Sequence, residues 1–481
     1  MESRRARWNG AAVTFVLAVL FRVALFLSGA VAVMFETGDS FEYRLLAESL
    51  LKDHVFGWDG VPKMNRTPGY PAFLAVVFAT VGRSQLAVTG AQIVLDALTC
   101  AMIFDLAARL RLRRAGAVVA SAFAVTCVFT AALSFQVMTE TLYTFGIVAS
   151  VWLLPAGPIT RLLHPENRWR VAASGFTMSC AALVRPLEAF AVAVFGVLVA
   201  VTLARRVGVK RVVRRQPLML AALGTAAVLV AGACAMLVPW MARNRIVFHW
   251  EYEKPNHEHV TLLGYKTDVP VYRHWYSREF TFYRRSYEEP MVMETPYEAP
   301  SIARYVYPEE RREVADAFRE LSKEIRASET EPIKAETLQA FQRIGERRYA
   351  SAPRLVVTAP LSRAAKLWVA PRASLLLKDQ HGGTLSLRTT VLLTLYDLVY
   401  VIPGMVGLWL GFRRARTIRA AIFATIIAHT AMHTFWHSSP HSRYMVPMFP
   451  LLCLGIGAVV DRLVSRRAPI TATAAVPSAA R

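Results

Sequence analysis

Cysteine is scarce in this sequence, and a glycine-rich phosphate-binding loop is absent from it. The 481 residues include five cysteines, all within apolar runs: Cys100, Cys127, Cys180, Cys234 and Cys453. Because none falls in the long polar segment of the chain, the sequence excludes a disulfide framework as the basis of the fold. Because it has no glycine-rich loop, the chain lacks the common sequence motifs that bind nucleotide phosphates. The sequence also contains no internal repeat, so it does not indicate a repeat architecture.

Acidic residues are also few, which leaves a large excess of positive charge. The chain has 56 lysines and arginines against 34 acidic residues, a formal net charge of +22, and yet 54% of it is hydrophobic. A nucleic-acid-binding protein would concentrate that charge in one polar domain. Here short basic stretches such as RLRLRR and RRVGVKRVVRR separate long apolar runs. This alternation is typical of a polytopic membrane protein with cytoplasmic basic loops.

The apolar runs predict ten membrane-spanning helices. The first, Ala11–Phe35, follows MESRRARW and, at about 1.5 Å per residue, is long enough for a hydrocarbon core of about 30 Å. The alternative, a cleaved signal peptide, would have an apolar region of about 7–15 residues. The other predicted spans are Leu86–Ala108, Ala115–Phe135, Thr141–Leu154, Val171–Val184, Leu187–Ala204, Leu218–Trp240, Val391–Gly411, Ala420–Trp436 and Met445–Val460. If the basic stretches between the spans are cytoplasmic, as the positive-inside rule expects, both termini are cytoplasmic too. The predicted location is a bacterial inner membrane.

The predicted fold class is an all-α polytopic membrane protein with a small, mainly helical external region. Residues 1–240 form an N-terminal transmembrane module that includes the first external loop, residues 36–85. Residues 241–388 are extracytoplasmic, and PEERREVADAFRELSKEI and KAETLQAFQRIGERRYA within them predict amphipathic helices. Residues 389–464 form the C-terminal transmembrane helices, and residues 465–481 a disordered, alanine-rich cytoplasmic tail.

The first external loop predicts two helices at the membrane surface. GYPAFLAVVFATVG, residues 69–82, is apolar but only roughly 21 Å long, which is too short to cross the bilayer. It is predicted to lie in the outer interface or to re-enter the membrane. Residues 39–51 carry apolar side chains at helical spacing between charges, which predicts a second such helix.

Charged residues within the predicted spans need an explanation, because each costs roughly 2.5–3.5 kcal/mol at the centre of a membrane. Arg22 lies about halfway along the first span, and Gln92, Asp96 and Thr99 share one face of the second. One interpretation is an Arg22–Asp96 ion pair that joins the two helices. The other is that Arg22 attracts a buried anionic headgroup, and the sequence leaves both open.

A second set of polar residues falls at the external ends of the spans. It comprises Asp39 with its neighbours Glu42 and Tyr43, then Arg66, Glu140, Arg185, Arg243, Arg443 and Tyr444. The guanidinium group of an arginine can donate two parallel hydrogen bonds to the oxygens of a phosphate. The four arginines are therefore candidate ligands for an anionic, lipid-linked substrate. The acids and tyrosines are candidates for a base and for acceptor or sugar binding. A solvated loop acid at Asp39, a snorkelling anchor at Arg185 and a helix-start carboxylate at Glu140 are the plainer alternatives.

A metal site is a weaker interpretation of the histidines. His437 and His441 are one helical turn apart, but Pro440 between them disfavours a helix. His429 and His433 have helical spacing in the ninth span, without a close third ligand. No cofactor is therefore predicted, and a divalent cation stays open.

Several of these stretches together resemble the GT-C membrane glycosyltransferases, in particular the branch of protein O-mannosyltransferases and lipid A aminoarabinose transferases. In chain order they are GDSFEYRLLAESLL, RTPGYPAFLA, QIVLDALT, MTETLYTF, ALVRP, PWMARN and RYMVPMFPLL. The resemblance covers about residues 10–155, 171–245 and 390–460, whereas residues 250–370 match no known acceptor-binding module.

The resemblance implies an inverting transfer of a sugar from a polyprenyl-phosphate donor to an acceptor outside the cytoplasm. In that family an acid of the first external loop is the catalytic base, and Asp39 occupies its position. The basic residue before the loop's proline motif, here Arg66, binds donor phosphate, and a glutamate of the second external loop falls on Glu140. The aminoarabinose enzymes tend to have Asp-Glu where this chain has Asp39-Ser40, so an assisting acid, Glu42 or Glu140, is left open.

Two other functions stay open. A transporter or flippase for lipid-linked sugars would place charges at mid-membrane in an inverted repeat. A polysaccharide polymerase or ligase would also use arginines on lipid-linked glycans, without needing the loop that carries Asp39. The predicted partners are a polyprenyl-phosphate-linked sugar, a glycan, lipid or protein acceptor and membrane lipids, with no nucleic acid.

Overall fold

The computed structural model describes residues 4–29, 31, 39–58, 60–63, 66–185, 216–248, 259–260, 266–267, 306–327, 334–369, 387–412, 415–436 and 442–467. Within these ranges helices dominate, which confirms the predicted all-α class. The strands there form two antiparallel hairpins, β1 (Gly57–Trp58) with β2 (Val61–Pro62) and β3 (His259–Val260) with β4 (Lys266–Thr267).

The helices follow the apolar and amphipathic runs closely. In chain order they are α1 (Arg4–Leu27), α2 (Asp39–Lys52), α3 (Gly69–Thr80), α4 (Gln85–Arg109), α5 (Arg114–Val125), α6 (Val128–Leu133), α7 (Glu140–Leu153), α8 (Arg168–Val184), α9 (Gln216–Phe248), α10 (Glu310–Ala327), α11 (Ala335–Ser351), α12 (Leu355–Val369), α13 (Leu387–Leu410), α14 (Arg416–Ala431) and α15 (Phe449–Arg467). Short 3-10 turns occur at Ile159–Leu163, Pro165–Asn167 and Ser442–Met448, and a π-helical turn at Met432–Trp436. The predicted span Leu187–Ala204 and the tail beyond residue 467 lie outside the described residues.

Six helical segments of the described chain are long and apolar enough to cross a membrane. They are Arg5–Leu27, Gln85–Arg109, Arg114–Leu133, Leu223–Val247, Leu387–Leu410 and Arg443–Ser465. Their outer faces expose large apolar side chains, such as Leu17 and Leu20 of α1, which water would disfavour. The chain is therefore a multi-pass integral membrane protein. Three further predicted spans correspond to the shorter helices α7, α8 and α14.

Two predicted spans end or break early. Helix α1 ends at Leu27 rather than at Phe35, and Gly29 just beyond it has a φ of 64°. Glycine tolerates this left-handed conformation, which stops a helix. The predicted span Ala115–Phe135 is divided between α5 and α6 after Val125, and such a break leaves carbonyl groups that need partners from elsewhere.

Arg22 supplies those partners from inside the bundle. Its side chain is fully buried, and its Nε donates to Asp96 Oδ2 at 2.5 Å. Its Nη1 donates to the carbonyl oxygen of Val125 at 3.0 Å and its Nη2 to that of Ala124 at 3.4 Å. The predicted Arg22–Asp96 ion pair is thus confirmed, and it joins α1, α4 and the end of α5.

Helix α15 forms the centre of the bundle. It packs against α13, α5 and α4, and 83% of its apolar stretch is buried, against 17% for α1. Its contact with α13 reaches the backbone, because a Cβ atom on Gly407 would lie 1.8 Å from the Gly455 carbonyl oxygen. Small residues allow this close approach between helices in a membrane.

The polar segments add helices outside this bundle. The two helices predicted in the first external loop are present as α2 and α3, which pack against each other. The predicted amphipathic helices are present as α10 and α11, joined by a buried ion pair in which Arg348 Nη1 is 2.9 Å from Glu310 Oε1. The sequence patterns do not predict α12, which packs against α13 and the π-helical turn and so attaches the polar segment to the bundle.

Candidate active site

Helix α2 begins with two acidic residues. Asp39 is its first residue, and Glu42 lies in the same turn, where the helix dipole stabilises a carboxylate. The buried face of α2, which includes Tyr43 and Ala47, packs against α3. This packing holds the N-terminus of α2 beside Arg66, which lies just before α3.

The guanidinium group of Arg66 bridges both carboxylates. Its Nη2 donates to Asp39 Oδ1 at 2.6 Å, and its Nε donates to Glu42 Oε2 at 2.6 Å. The guanidinium carbon lies 5.3 Å from the centroid of the Tyr43 ring, which packs edge-on against Tyr70. The structure therefore brings together the four site residues that the sequence predicts in this loop.

Arg443 approaches the same site from the 3-10 turn that precedes α15. Its Nη2 is 4.0 Å from Asp39 Oδ2, and its Nε is 3.7 Å from Glu140 Oε1. Both separations exceed the length of a hydrogen bond. The Nε–H is buried and has no hydrogen-bond partner among the described residues. A buried donor of this kind is stabilised by any ligand that supplies an acceptor oxygen.

Glu140 is a buried acid of the site that lies beside two of the arginines. It is the first residue of α7 and only 1% exposed, and its Oε1 accepts a hydrogen bond from Arg185 Nη1 at 3.1 Å. Arg185 follows the end of α8, and its guanidinium group lies over the rings of Tyr444 and Tyr143, 4.6 Å and 5.7 Å from their centroids.

Six charged side chains therefore alternate in sign across the site, and we call them the charged cluster. In order of contact they are Glu42, Arg66, Asp39, Arg443, Glu140 and Arg185. Their three carboxylates and three guanidinium groups cancel to a formal charge of zero. The Asp39 side chain is the most exposed of the cluster, at 38% against 30% for Glu42 and 1% for Glu140.

Electrostatics set the protonation of Asp39 and Tyr43. Burial would raise the pKa of Asp39, but the Arg66 and Arg443 guanidinium groups outweigh it and hold the pKa below its ordinary value. The carboxylate is therefore ionised at neutral pH. Burial is the largest cause that raises the pKa of Tyr43 to about 12, so this phenol keeps its proton at neutral pH.

The two tyrosines predicted to bind acceptor or sugar lie against arginines. The Tyr444 ring centroid is 4.6 Å from the guanidinium carbon of Arg185 and 5.2 Å from that of Arg443. Its ring also stacks on His433, with centroids 4.7 Å apart and planes 18° apart. An aromatic face attracts a cation at these distances, so the placement of Tyr444, like that of Tyr43, favours support of the arginines over direct contact with an acceptor.

The structure places Arg243 on the β1–β2 hairpin. Its Nη1 donates to the Lys63 carbonyl oxygen at 3.0 Å and its Nη2 to the Phe56 carbonyl oxygen at 3.1 Å. Its guanidinium carbon lies 5.0 Å from the centroid of a Trp240 ring. These contacts tie α9 to the first external loop and favour a structural role, while phosphate binding by Arg243 stays a prediction.

Tyr143 is a residue of the site that the sequence patterns do not single out. Its hydroxyl group lies 2.8 Å from Nδ1 of the buried His429. The three-residue spacing from Glu140 to Tyr143 places both on one face of α7, and this spacing is the signal that could have identified it.

The structure describes two of the four histidines considered for a metal site, His429 and His433. The described part of the chain contains no group of three or more His, Cys, Asp and Glu side chains that could hold a metal ion. The His429 and His433 rings contact each other, with centroids 4.6 Å apart. His437 and His441 lie outside the described residues.

Comparisons with known proteins find a likeness of structure. No family model and no curated protein matches the chain. One similar structure is the archaeal oligosaccharyltransferase AglB from Archaeoglobus fulgidus, in complex with an inhibitory peptide and a dolichol-phosphate; it is 13% identical over 95% of this chain and 51% of that chain, with a TM-score of 0.46. Another is ArnT from Cupriavidus metallidurans in the apo state, 13% identical over 94% of this chain and 78% of that chain, with a TM-score of 0.37.

This chain spans about half the length of the oligosaccharyltransferase that it matches. The structural similarity to AglB and ArnT, which are GT-C glycosyltransferases, extends over nearly the whole of this chain.

Proposed function

We propose that the chain is an inverting glycosyltransferase of the GT-C type. It moves a sugar, a hexose or a pentose, from a polyprenyl-phosphate-linked donor to an acceptor hydroxyl group on the extracytoplasmic side of the membrane. The observation that carries the proposal is the position of Asp39, the most exposed carboxylate of the charged cluster, 2.6 Å from Arg66 and 4.0 Å from Arg443. An inverting transfer from a lipid phosphate needs a base beside phosphate-binding cations.

The arginines hold the donor phosphate in this proposal. Arg443 has a buried Nε–H without a hydrogen-bond partner among the described residues, and a phosphate oxygen is a suitable acceptor for it. Glu140 is buried behind Arg443 and Arg185, so it orients their guanidinium groups rather than contacting the acceptor. Negative charge that develops on the leaving phosphate is neutralised by these arginines.

Phosphate binding and activation of the base are coupled in this arrangement. While Arg66 donates to Asp39, the carboxylate is a weak base, because the neighbouring positive charge lowers its pKa. A phosphate oxygen competes for the same N–H group, and Asp39 is then released towards the acceptor. Its pKa rises as the positive charge is shared with the phosphate. Glu42 keeps its hydrogen bond to the Nε of Arg66, so the arginine stays in the site.

The transfer step then proceeds in one displacement. Asp39 accepts the proton of the acceptor hydroxyl group while the acceptor oxygen attacks the anomeric carbon from the face opposite the phosphate. The bond between that carbon and the phosphate oxygen breaks, and its electron pair leaves with the polyprenyl phosphate. The new glycosidic bond therefore has the inverted configuration.

In this proposal the site lies on the extracytoplasmic side of the membrane. Asp39 follows α1, Glu140 begins α7, Arg185 follows α8 and Arg443 precedes α15. With both termini cytoplasmic, these are the extracytoplasmic ends of the helices. Residues 1–240 and 389–464 then form the membrane bundle of a bacterial inner membrane protein, and residues 241–388 lie over its external mouth.

Asp39→Asn tests the proposal. Wild type and variant are expressed at matched levels in a host that lacks the native copy, and polyprenyl-phosphate sugars are quantified by mass spectrometry of lipid extracts. Loss of a general base lowers the rate by about 10²–10⁴-fold, so the variant accumulates a lipid-linked sugar that the wild type consumes. The mass of that lipid identifies the sugar. Glu48→Gln removes a carboxylate from the same helix and serves as the matched control.

Identical lipid extracts from wild type and Asp39→Asn, in a host whose phenotype the wild type restores, contradict the role of Asp39 as the base. Transport of a lipid-linked sugar or polymerisation of a glycan would then explain the phenotype better. Polymerisation would be recognised by a longer lipid-linked glycan in both extracts.

A further inference from the structure

The imidazole of His429 connects two elements that carry the charged cluster. His429 lies on α14 and is fully buried. Its Nδ1 is 2.8 Å from the Tyr143 hydroxyl oxygen, and its Nε2 is 2.6 Å from the Tyr444 carbonyl oxygen. A carbonyl oxygen only accepts, so Nε2 carries a proton and donates. In the neutral ring Nδ1 then accepts a hydrogen bond from the Tyr143 hydroxyl group.

Both partners of His429 are adjacent to cluster residues. Tyr143 lies one helical turn after Glu140 in α7, and Tyr444 directly follows Arg443. The guanidinium group of Arg185 lies over the rings of both tyrosines and pairs with Glu140. His429 sets the distance between Tyr143 and Tyr444. That distance therefore determines the position of the Arg185 guanidinium group.

The backbone after α14 reinforces this arrangement. The chain passes directly from α14 into the π-helical turn Met432–Trp436, a wide turn that is frequent at functional sites. The turn presents the His433 ring to Tyr444, where the two rings stack with centroids 4.7 Å apart. Tyr444 is thus held at its carbonyl group by one histidine and at its ring by the next.

We propose that His429 is a positioning residue for the proposed transfer reaction. Its two hydrogen bonds fix the separation of Tyr143 and Tyr444, which seats Arg185 against Glu140 and orients Arg443 towards the donor phosphate. His429 itself does not touch the substrate. The inference rests on the proposed function, because it concerns the affinity of that site for a lipid phosphate.

A histidine that only fills the core would have a different effect. Its replacement would lower the amount of folded protein but leave the affinity for phosphate of each folded molecule unchanged. A positioning residue changes that affinity at constant folded fraction. The two roles are therefore separated by measuring phosphate binding and thermal unfolding on the same purified samples.

The experiment titrates the full-length protein in detergent with farnesyl phosphate, a short polyprenyl phosphate without a sugar, and determines Kd. His429→Leu removes both hydrogen bonds and lets Arg185 and Arg443 move away from the phosphate. Binding is therefore expected to weaken about tenfold or more, which corresponds to the loss of one hydrogen bond between an arginine and the charged ligand. Tyr143→Phe removes one of the bonds but keeps the ring beneath Arg185, and is expected to weaken binding by about half as much on a logarithmic scale. Thr425→Val, a buried substitution one turn earlier in α14, is the matched control.

The outcomes are distinct. Wild-type affinity in folded His429→Leu overturns the positioning role while leaving the proposed function intact. If His429→Leu does not fold, Tyr143→Phe decides, and wild-type affinity in that variant overturns the role. Failure of the wild type itself to bind farnesyl phosphate contradicts the proposed function, and the positioning role falls with it. Weakened binding in both variants, with Thr425→Val unchanged, supports the proposal.

Discussion

Arg22 and Arg443 both face carboxylates inside the protein, yet their surroundings differ. Arg22 is 0% exposed and donates to Asp96 at 2.5 Å and to backbone carbonyl groups of α1 and α5. Arg443 is 30% exposed, its nearest carboxylate oxygens are 3.7 and 4.0 Å away, and its Nε–H has no hydrogen-bond partner in the described structure. One arginine has its hydrogen bonds completed by protein, and the other does not.

This difference separates a structural ion pair from a candidate binding site. A charge in a membrane bundle is costly in either case, so its presence alone does not indicate function. Arg22 has completed hydrogen bonds and a single carboxylate partner, Asp96, which suits a permanent link between helices. The charged cluster distributes three acids over three arginines at unequal distances, so its pairs can exchange when an anion enters.

The largest effect is expected from breaking the completed pair. Asp96→Leu leaves the Arg22 guanidinium group buried without its carboxylate, and we expect a loss of about 3–5 kcal/mol in the free energy of unfolding. The double variant Arg22→Met with Asp96→Leu removes both charges and should recover part of that loss. The recovery is incomplete because the carbonyl groups of Ala124 and Val125 lose their Arg22 donors. Thermal unfolding of the purified variants in detergent measures both changes. A double variant as unstable as Asp96→Leu alone would show that the pair does more than neutralise itself.

Replacing the guanidinium group of Arg66 should have the next largest effect, on phosphate binding. Lysine keeps the charge but cannot hold two carboxylates and a phosphate in one plane, so Arg66→Lys is expected to weaken farnesyl phosphate binding about 10- to 100-fold. The stability should change little, because Arg66 is partly exposed. Arg83→Lys, at the exposed end of the loop after α3, is the control. Equal affinities of the two variants would exclude Arg66 as a phosphate ligand.

The pH dependence of transfer should shift in a defined direction when Arg66 loses its charge. The positive charge holds the pKa of Asp39 below its ordinary value, so the acid limb of kcat/KM, which reports the base in the enzyme before substrate binds, lies at low pH in the wild type. Arg66→Gln removes that charge and raises the pKa. The limb should therefore move to higher pH by about one unit. An unmoved limb would assign it to a group other than Asp39.

The smallest effect is expected at an ion pair without burial. Lys323 Nζ lies 2.6 Å from Glu320 Oε1 on the surface of α10, where solvent screens the attraction. Lys323→Gln should leave the unfolding midpoint unchanged within error. A measurable drop in the unfolding midpoint would show that exposed ion pairs differ less from buried ones, in their contribution to stability, than the contacts indicate.

Much of the fold could be predicted from the sequence, because long apolar runs leave a membrane chain little choice but helices. The break after Val125 could not, since it depends on Arg22 from another helix as a partner for the carbonyl groups. Helix α12 also escaped prediction, because Pro360 lies inside it and disfavours a helix, and its packing against α13 and the π-helical turn is a tertiary contact. Local patterns do not contain such contacts.

The candidate site was predictable as a set of residues but not as an arrangement. The sidedness of the spans predicts that Asp39, Arg66 and Glu140 share one membrane face. Which acid pairs with which arginine is decided by tertiary packing between segments far apart in the chain. The same limit explains Arg243, whose position at a span end resembles that of Arg185 although its guanidinium group holds the β1–β2 hairpin.

The central position of α15 has a consequence for biosynthesis. It is the last described helix in chain order, and its packing against α13, α5 and α4 completes the bundle. The helices made before it therefore enter the membrane with their inner faces still in contact with lipid or with helper proteins. Assembly of this part of the bundle, and with it the position of Arg443, has to wait until α15 leaves the ribosome, so a nascent chain stalled before α15 is a natural target for membrane quality control.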